Sequence, residues 1–278
     1  MNGYILKADN ISAGYDGRKI ISDVTITVPE NKISVILGAN GCGKSTMLKT
    51  FSRLLHPTKG KVLLNGNSIT SIPSKKVAKH IGLLPQTQII PEGIKVTDLI
   101  TRGRFPYRQL MKGMSAEDFK AVEKAMEMMG ITELADRNVD ELSGGQRQRV
   151  WIALALAQET DILLLDEPTT FLDISYQVEI LDLLYELNKK EHTTIVMVLH
   201  DINLSARYAD YIFAMKNGKL IEEGVPEDII TSELIEEIYG LKCSVIEDPL
   251  SGTPLILPIG RHKTIRSIND RKSTAAYA

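Results

Sequence analysis

The spacing of apolar residues changes period along the chain, and those changes mark out its elements. Val24, Ile26 and Val28 alternate with Thr25 and Thr27, the period of a half-buried strand, so the first thirty residues read as β structure. Ile33–Leu37 is a short, nearly all-apolar run, as expected of a strand covered on both faces. After a glycine-rich turn, Met47, Leu48, Phe51 and Leu55 predict a helix over 44–55. Asn65-Gly66 closes the strand-like stretch 62–64 with a tight-turn dipeptide. From 94 to 158 the pattern turns helical. Ser115 followed by Asp118 marks a helix start, and Phe119, Val122, Met126 and Met129, three and four apart, predict its core face. Methionines at this spacing are gap-filling core rather than sulfur ligands.

Strand-like runs return at 162–165 and 195–199, with a helical stretch at 178–187 between them. This is βαβ order and implies a parallel sheet. Residues 211–215, the dipeptide Asn217-Gly218 and residues 219–222 read as a hairpin. Beyond Leu241 the pattern weakens, and 267–278 reads as a loose polar end. No internal repeat is visible. The expected fold is α/β. A mostly parallel sheet carries an N-terminal antiparallel β part and an inserted helical part, about 94–158, within a domain of residues 1–240. Residues 241–278 form a short extension.

The composition narrows the class without naming it. At 278 residues the chain is long enough for a large buried core, and 43% apolar with 24% charged residues is ordinary for a globular protein. A net charge of −2 argues against nucleic acid as a partner, because such binders carry a basic surplus on one face. The longest apolar run, 150–157, is eight residues, whereas a membrane span takes about twenty. No basic segment leads into a long apolar one at the N-terminus, and only Cys42 and Cys243 are present. The expectation is a protein that stays in the cytosol.

Two stretches carry chemistry. Gly38-Ala39-Asn40-Gly41-Cys42-Gly43-Lys44-Ser45, followed by Thr46, fits the phosphate-loop pattern and lies between a buried strand and a helix. Glycines let the backbone wrap an anion with its N–H groups turned inward, and the helix start adds partial positive charge. Lys44 would reach the terminal phosphates of ATP, and the Ser45 hydroxyl would ligate Mg²⁺. Ile162-Leu163-Leu164-Leu165-Asp166-Glu167 is an apolar strand ending in two carboxylates, the position at which α/β sheets place ligands. Asp166 would hold Mg²⁺, and Glu167 would orient and deprotonate the attacking water. Cys42 lies inside the phosphate loop and has two readings: a thiol whose pKa the helix start lowers, open to alkylation unless a bound nucleotide protects it, or a small inert side chain turned into the core.

Leu142-Ser143-Gly144-Gly145-Gln146 matches the signature of ABC ATPases letter for letter, twenty residues before the carboxylate strand. On residues 4–239 the chain resembles that family, and its core is expected to be a P-loop ATPase. Ser143 is a good N-cap and the glycines leave backbone N–H groups open, so this is a second anion site at a helix start. The resemblance implies a head-to-tail dimer in which Ser143, Gly144, Gly145 and Gln146 of one copy close on the ATP of the other. It also implies that Tyr15 stacks on adenine, that Gln86 senses Mg²⁺ and the attacking water, and that His200 is a switch contacting the γ-phosphate. In Thr169-Thr170-Phe171-Leu172-Asp173, Asp173 holds the place of the residue that crosses the dimer interface, although many relatives carry Ser-Ala before Leu-Asp.

One ATPase unit without a span implies separate integral membrane permease subunits, as in bacterial importers, with a substrate-binding protein acting indirectly. The chain is then expected at the cytoplasmic face of the cell membrane. Val96-Thr97-Asp98-Leu99-Ile100 with Gly103-Arg104-Phe105-Pro106-Tyr107 is similar to the iron-chelate, haem and cobalamin branch of importers. So is Ser251-Gly252-Thr253-Pro254 with Pro258-Ile259-Gly260-Arg261. This branch implies uptake of a ferric siderophore, with haem or cobalamin as alternative cargo. The competing classes are a soluble ABC ATPase working on ribosomes or DNA and a kinase or GTPase sharing the phosphate loop. The first usually carries two ATPase units or a long coiled coil, and the second has no use for residues 142–146 or His200.

Overall fold

The computed structural model describes residues 4–88, 92–108, 113–170 and 172–260. β1 (Leu6–Tyr15) and β2 (Arg18–Thr27) pair antiparallel around Asp16 and Gly17, both at positive φ. The chain continues through β3 (Ile33–Leu37), α1 (Lys44–Phe51), β4 (Lys59–Leu64) and β5 (Asn67–Ser68). β4 returns beside β1, giving an antiparallel sheet of order β2-β1-β4-β5. Asn65 (φ 49°) and Gly66 (φ 77°) turn the chain with the two positive φ values that a tight hairpin needs. α1 is shorter than its apolar spacing predicts. It stops at Phe51, because Arg53 adopts φ 65° and sends its guanidinium to the Ile72 carbonyl at 2.5 Å.

Next come α2 (Ser74–Val77), β6 (Ile81–Leu84), α3 (Val96–Thr101), α4 (Ala116–Met128) and α5 (Gly144–Leu156). β7 (Ile162–Asp166), α6 (Ile174–Glu191), β8 (Thr194–Val198), α7 (Ile202–Tyr208), β9 (Tyr211–Lys216) and β10 (Lys219–Gly224) complete the second sheet. Its order is β10-β9-β3-β8-β7-β6, with every neighbouring pair parallel except the β9–β10 hairpin. That hairpin turns at Asn217 and Gly218, as the dipeptide predicts.

The apolar strands are buried on both faces. Ile33, Val35 and Leu37 of β3, Leu163 and Leu165 of β7, and Ile195 and Met197 of β8 enter the core shared with α5, α6 and the inserted helices. Ile36, Ile162, Leu164, Val196 and Val198 enter the other core, beneath α1 and the antiparallel sheet. Each fully buried aliphatic contributes about 1.5–3 kcal/mol, which holds the strand ends rigid where the chemistry must sit.

The inserted helices meet the core around a buried ion pair. Arg104, almost fully buried, donates to Asp118 Oδ1 at 2.8 Å, to the Ala157 carbonyl at 2.8 Å and to Glu159 at 2.7 Å. Asp118 is also part of the capping box with Ser115 that starts α4. This pair corrects the expected face of that helix. The buried stripe runs through Asp118, Ala121, Val122, Ala125 and Met126, and Met129 is buried beyond it. Phe119 is therefore one step round the helix and 59% exposed, although its spacing placed it with the core.

The C-terminal part is more ordered than its sequence pattern predicts. After α8 (Pro226–Ile229), α9 (Ser232–Tyr239) is capped by Thr231 and ends in Gly240 at φ 66°. β11 (Cys243–Glu247) and β12 (Pro254–Pro258) then form an antiparallel hairpin whose turn contains Ser251-Gly252-Thr253. The strands are short and carry single buried anchors, such as Cys243 and Ile256, so they leave little periodicity to read. Arg261 and the polar end 267–278 lie outside the described residues.

Candidate active site

Four parallel strands deliver the predicted residues to one edge of the sheet. β3 ends at the loop beginning with Gly38, β7 at Asp166 and Glu167, β8 just before His200, and β6 two residues before Gln86. A crevice at the carboxyl ends of such strands is where open α/β sheets bind ligands. The crevice has a volume of about 390 Å³ and is lined by Tyr15, Ile20, Asn40, Gly41, Gly43, Lys44, Ser45, Thr46, Gln86, Glu167 and His200. A larger hollow of about 480 Å³ opens at the opposite ends of β7 and β8, by Asp161 and Thr194, and contains none of the motif residues.

The loop geometry follows from its glycines. Gly38 (φ 153°) has no room for a side chain, because a β-carbon there would lie 2.3 Å from the Met215 carbonyl oxygen. Gly43, the N-cap of α1, sits at φ 108° and presses against Ile21. Lys44 is buried, and its ammonium folds back onto the loop, donating to the carbonyls of Gly38 at 2.7 Å and Ala39 at 3.2 Å. The cation thus rests on two carbonyls of the loop that an incoming phosphate would meet. Tyr15, half exposed, stands at the rim, and its ring is available for a flat base to stack on.

Ser45 donates its hydroxyl proton to Asp166 Oδ1 at 3.0 Å. Burial pushes the Asp166 carboxyl up, the Ser45 bond pulls it down, and the neighbouring Glu167 charge pushes it up again, leaving it above its ordinary value. A buried carboxylate accepting from a hydroxyl is a hard oxygen set that fits Mg²⁺.

Glu167 follows in a left-handed conformation (φ 57°), a strained state for a non-glycine residue that turns its carboxylate away from Asp166's path along the strand. Its Oε1 lies 2.8 Å from His200 Nε2, its Oε2 accepts from the Thr170 hydroxyl at 3.0 Å, and Gln86 lines the same crevice. Burial alone would raise the carboxyl, but the pull of His200 and Gln86 outweighs it, and the pKa falls below the usual value. Sequence reading brought Glu167, His200 and Gln86 together; it missed Thr170 and Ile20, whose residue types carry no local signal.

Cys42 takes the second of its two readings. Its side chain is buried in the core rather than open to the loop, and burial pushes the thiol up, more strongly than neighbouring Lys44 pulls it down. The adjacent start of α1, with the Lys44 charge and backbone N–H, pulls the thiol down, but its burial outweighs that pull. Maleimide labelling of Cys42 in the folded chain at neutral pH is expected to be at least about tenfold slower than in the urea-unfolded chain. Labelling at equal rates would place the thiol in solvent.

Ser143 forms the predicted helix start elsewhere. Its hydroxyl accepts from the Gln146 N–H at 3.3 Å and the Gln146 side chain returns a bond to the Ser143 N–H at 3.2 Å, a full capping box. Gly144 faces open space, and Gly145 packs against the Tyr176 ring in the first turn of α6, whose N-cap is Asp173. None of Ser143, Gly144, Gly145, Gln146 and Asp173 lines the crevice. Phe171 lies outside the described residues.

Residues 21–170, more than half the chain, match the family described as ABC transporter. The chain belongs to the ABC transporter family. This ABC ATPase is 50% identical to the ferric enterobactin transport ATP-binding protein FepC of Escherichia coli, over 92% of its own length and 94% of that protein's. It superposes on a metal-chelate type ABC transporter in an inward-facing conformation with a TM-score of 0.80 at 27% identity, covering 93% of this chain and 98% of that one. Against a dimeric bacterial ABC transporter cassette the TM-score is 0.70 at 30% identity, covering 79% and 98%. The chain is thus an ATP-binding subunit whose ATPase activity is coupled to transport. Among the described residues no helix is long and apolar enough to cross a membrane.

Proposed function

We propose that this chain is the ATP-hydrolysing subunit of an importer that takes up a ferric siderophore through separate membrane permease subunits. The observation that carries this reading is the 50% identity to a ferric enterobactin transport ATP-binding protein over 92% of this chain and 94% of that one. The chain would act at the cytoplasmic face of the membrane, and a substrate-binding protein would select the cargo outside. Residues 1–240 would be the ATPase domain, with 94–158 as its helical insertion and 241–278 as an extension.

In the proposed mechanism ATP lies in the crevice with adenine on Tyr15 and its phosphates in the loop Gly38 to Thr46. Lys44 moves its ammonium from the Gly38 and Ala39 carbonyls to the β- and γ-phosphates. Ser45, Asp166 and Gln86 would hold Mg²⁺, which offsets phosphate charge when bound. Ser143 and the open amides after it then close on the γ-phosphate of a second copy's ATP, and Asp173 crosses the interface, so that two copies hold two nucleotides head to tail. His200, which pairs with Glu167 in the free chain, and Gln86 beside them turn toward the phosphate, and Glu167 is released to face the attacking water. Glu167 takes the water's proton as the new P–O bond forms and the bond to the β–γ bridging oxygen breaks, leaving ADP and phosphate. Closure would pull on permease helices docked near Gln86 and the segment 96–107.

Growth of a deletion strain on defined iron sources tests the cargo. Loss of growth on ferric siderophores, restored by the wild-type gene and not by Lys44→Ala, is the expected result. Intact siderophore use with lost haem or cobalamin use would reassign the cargo.

A further inference from the structure

The C-terminal segment bonds to residues that flank the crevice at two places. On one side, the N–H of Gly38, the first residue of the phosphate loop, donates to the hydroxyl of Tyr239 at 3.0 Å. The carbonyl of the same glycine accepts from Lys44 Nζ at 2.7 Å. Gly38 has the widest conformational freedom in the loop's approach, and these two bonds fix the peptide planes on either side of its Cα. Tyr239 is the last residue of α9, immediately before the left-handed Gly240. Burial pushes its phenol up to about 12, against the pull of the Gly38 bond, so the hydroxyl stays neutral and able to accept at any physiological pH.

On the other side, Asn203 lies in the first turn of α7, three residues after His200. Its amide carbonyl accepts from the Ile256 N–H at 2.7 Å and its amide N–H donates to the Ile256 carbonyl at 3.2 Å. The side chain thus copies the hydrogen-bonding edge of a strand and clips α7 to β12. Ile256 itself is buried, in the same core as Cys243 and Leu199. Asp201, which caps α7 through the Leu204 N–H at 2.9 Å, fixes the same turn from within. The start of α7, and with it the direction in which His200 emerges, is therefore held from the C-terminal hairpin.

We infer that residues 232–258 act as a strap that positions the nucleotide site from both walls, with Tyr239 holding the phosphate loop and the Asn203–Ile256 clip holding the His200 turn. The inference rests on the proposed reading of the crevice as the ATP site and assigns the extension a role in that site. Neither Tyr239 nor Asn203 lines the crevice; they are positioning residues, and the two contacts should affect different kinetic constants. Loosening Gly38 weakens the phosphate cradle equally for bound ATP and for the transition state, which raises KM. Loosening the His200 turn misplaces a group needed only in turnover, which lowers kcat.

The test is steady-state ATP turnover of the full chain assembled with its membrane subunits, with ATP binding by the full chain measured separately. Tyr239→Phe keeps the ring and removes one hydroxyl. It is expected to raise KM and the ATP dissociation constant about fivefold, the size of one net hydrogen bond, with kcat within about twofold. Asn203→Leu keeps the volume and removes both bonds to Ile256. It is expected to lower kcat about tenfold with KM within about twofold. If Tyr239→Phe does not fold, Asn203→Leu carries the test alone. Wild-type KM and kcat in both variants overturn the strap, even if their melting temperatures drop, provided Lys44→Ala abolishes ATP binding. If Lys44→Ala binds ATP normally, the reading of the crevice and the strap fall together.

Discussion

Gly144→Asp is expected to lower ATP turnover by at least about a hundredfold while leaving the isolated chain's affinity for ATP within about twofold of wild type. The combination follows from where Gly144 sits. It is the first residue of α5, outside the crevice, and a β-carbon there meets no atom within 4 Å. The β-carbon of an aspartate meets no clash there. In the first turn of a helix a carboxylate is slightly stabilising, so the melting temperature should hold or rise. The loss comes only when a second copy brings its ATP to this helix start, because the new carboxylate then faces the γ-phosphate across a short gap. Paired turnover and melting measurements check this. Turnover close to wild type in a folded variant would mean that the helix start at Ser143 is a structural cap.

Glu167→Gln is expected to reduce turnover by about 10²–10⁴, the range for loss of a general base, with ATP binding retained. The glutamine is nearly isosteric and can keep an acceptor for Thr170 or His200, so the crevice should hold its shape. Only the ability to take a proton is lost. In the free chain the Glu167 carboxyl lies below its ordinary range, because the pull of His200 and Gln86 overcomes the effect of its burial. A depressed pKa keeps the carboxylate ionised through the neutral range, so Glu167 should impose no slope on the rate there. The same pull makes it a weak base until His200 and Gln86 leave it. Turnover would thus wait on nucleotide-driven rearrangement rather than on pH. Near-normal hydrolysis in Glu167→Gln would remove Glu167 as the base.

Most of this site was legible in the sequence because it depends on local order. The phosphate loop needs Gly38, Gly41 and Gly43 at fixed intervals before Lys44-Ser45, and a strand before them, and both are readable from residue type. Asp166 and Glu167 announce themselves as two acids ending an apolar strand. The parallel sheet was equally clear, since Ile162–Asp166 and Thr194–Val198 are apolar on both faces. What failed to show depends on partners distant in sequence. Phe119 has the right spacing for the core, yet Asp118 takes the centre of that face because Arg104, fourteen positions earlier, is buried against it. Cys42 lies in an activating motif, and only the packing of the loop on β9 shows its thiol to be buried. The C-terminal hairpin owes its order to a side chain 53 positions before it, Asn203 bonding Ile256, and no periodicity within 243–258 reports that.

The central claim is that one chain holds half of each working site. Sedimentation of the Glu167→Gln chain, with and without ATP, tests it most directly. With saturating ATP the account predicts a species of twice the 30.8 kDa chain mass, carrying one nucleotide per chain. Without ATP, or with Gly144→Asp added, the same chain should sediment as a monomer. An ATP-saturated Glu167→Gln chain that remains at 30.8 kDa would contradict the paired geometry.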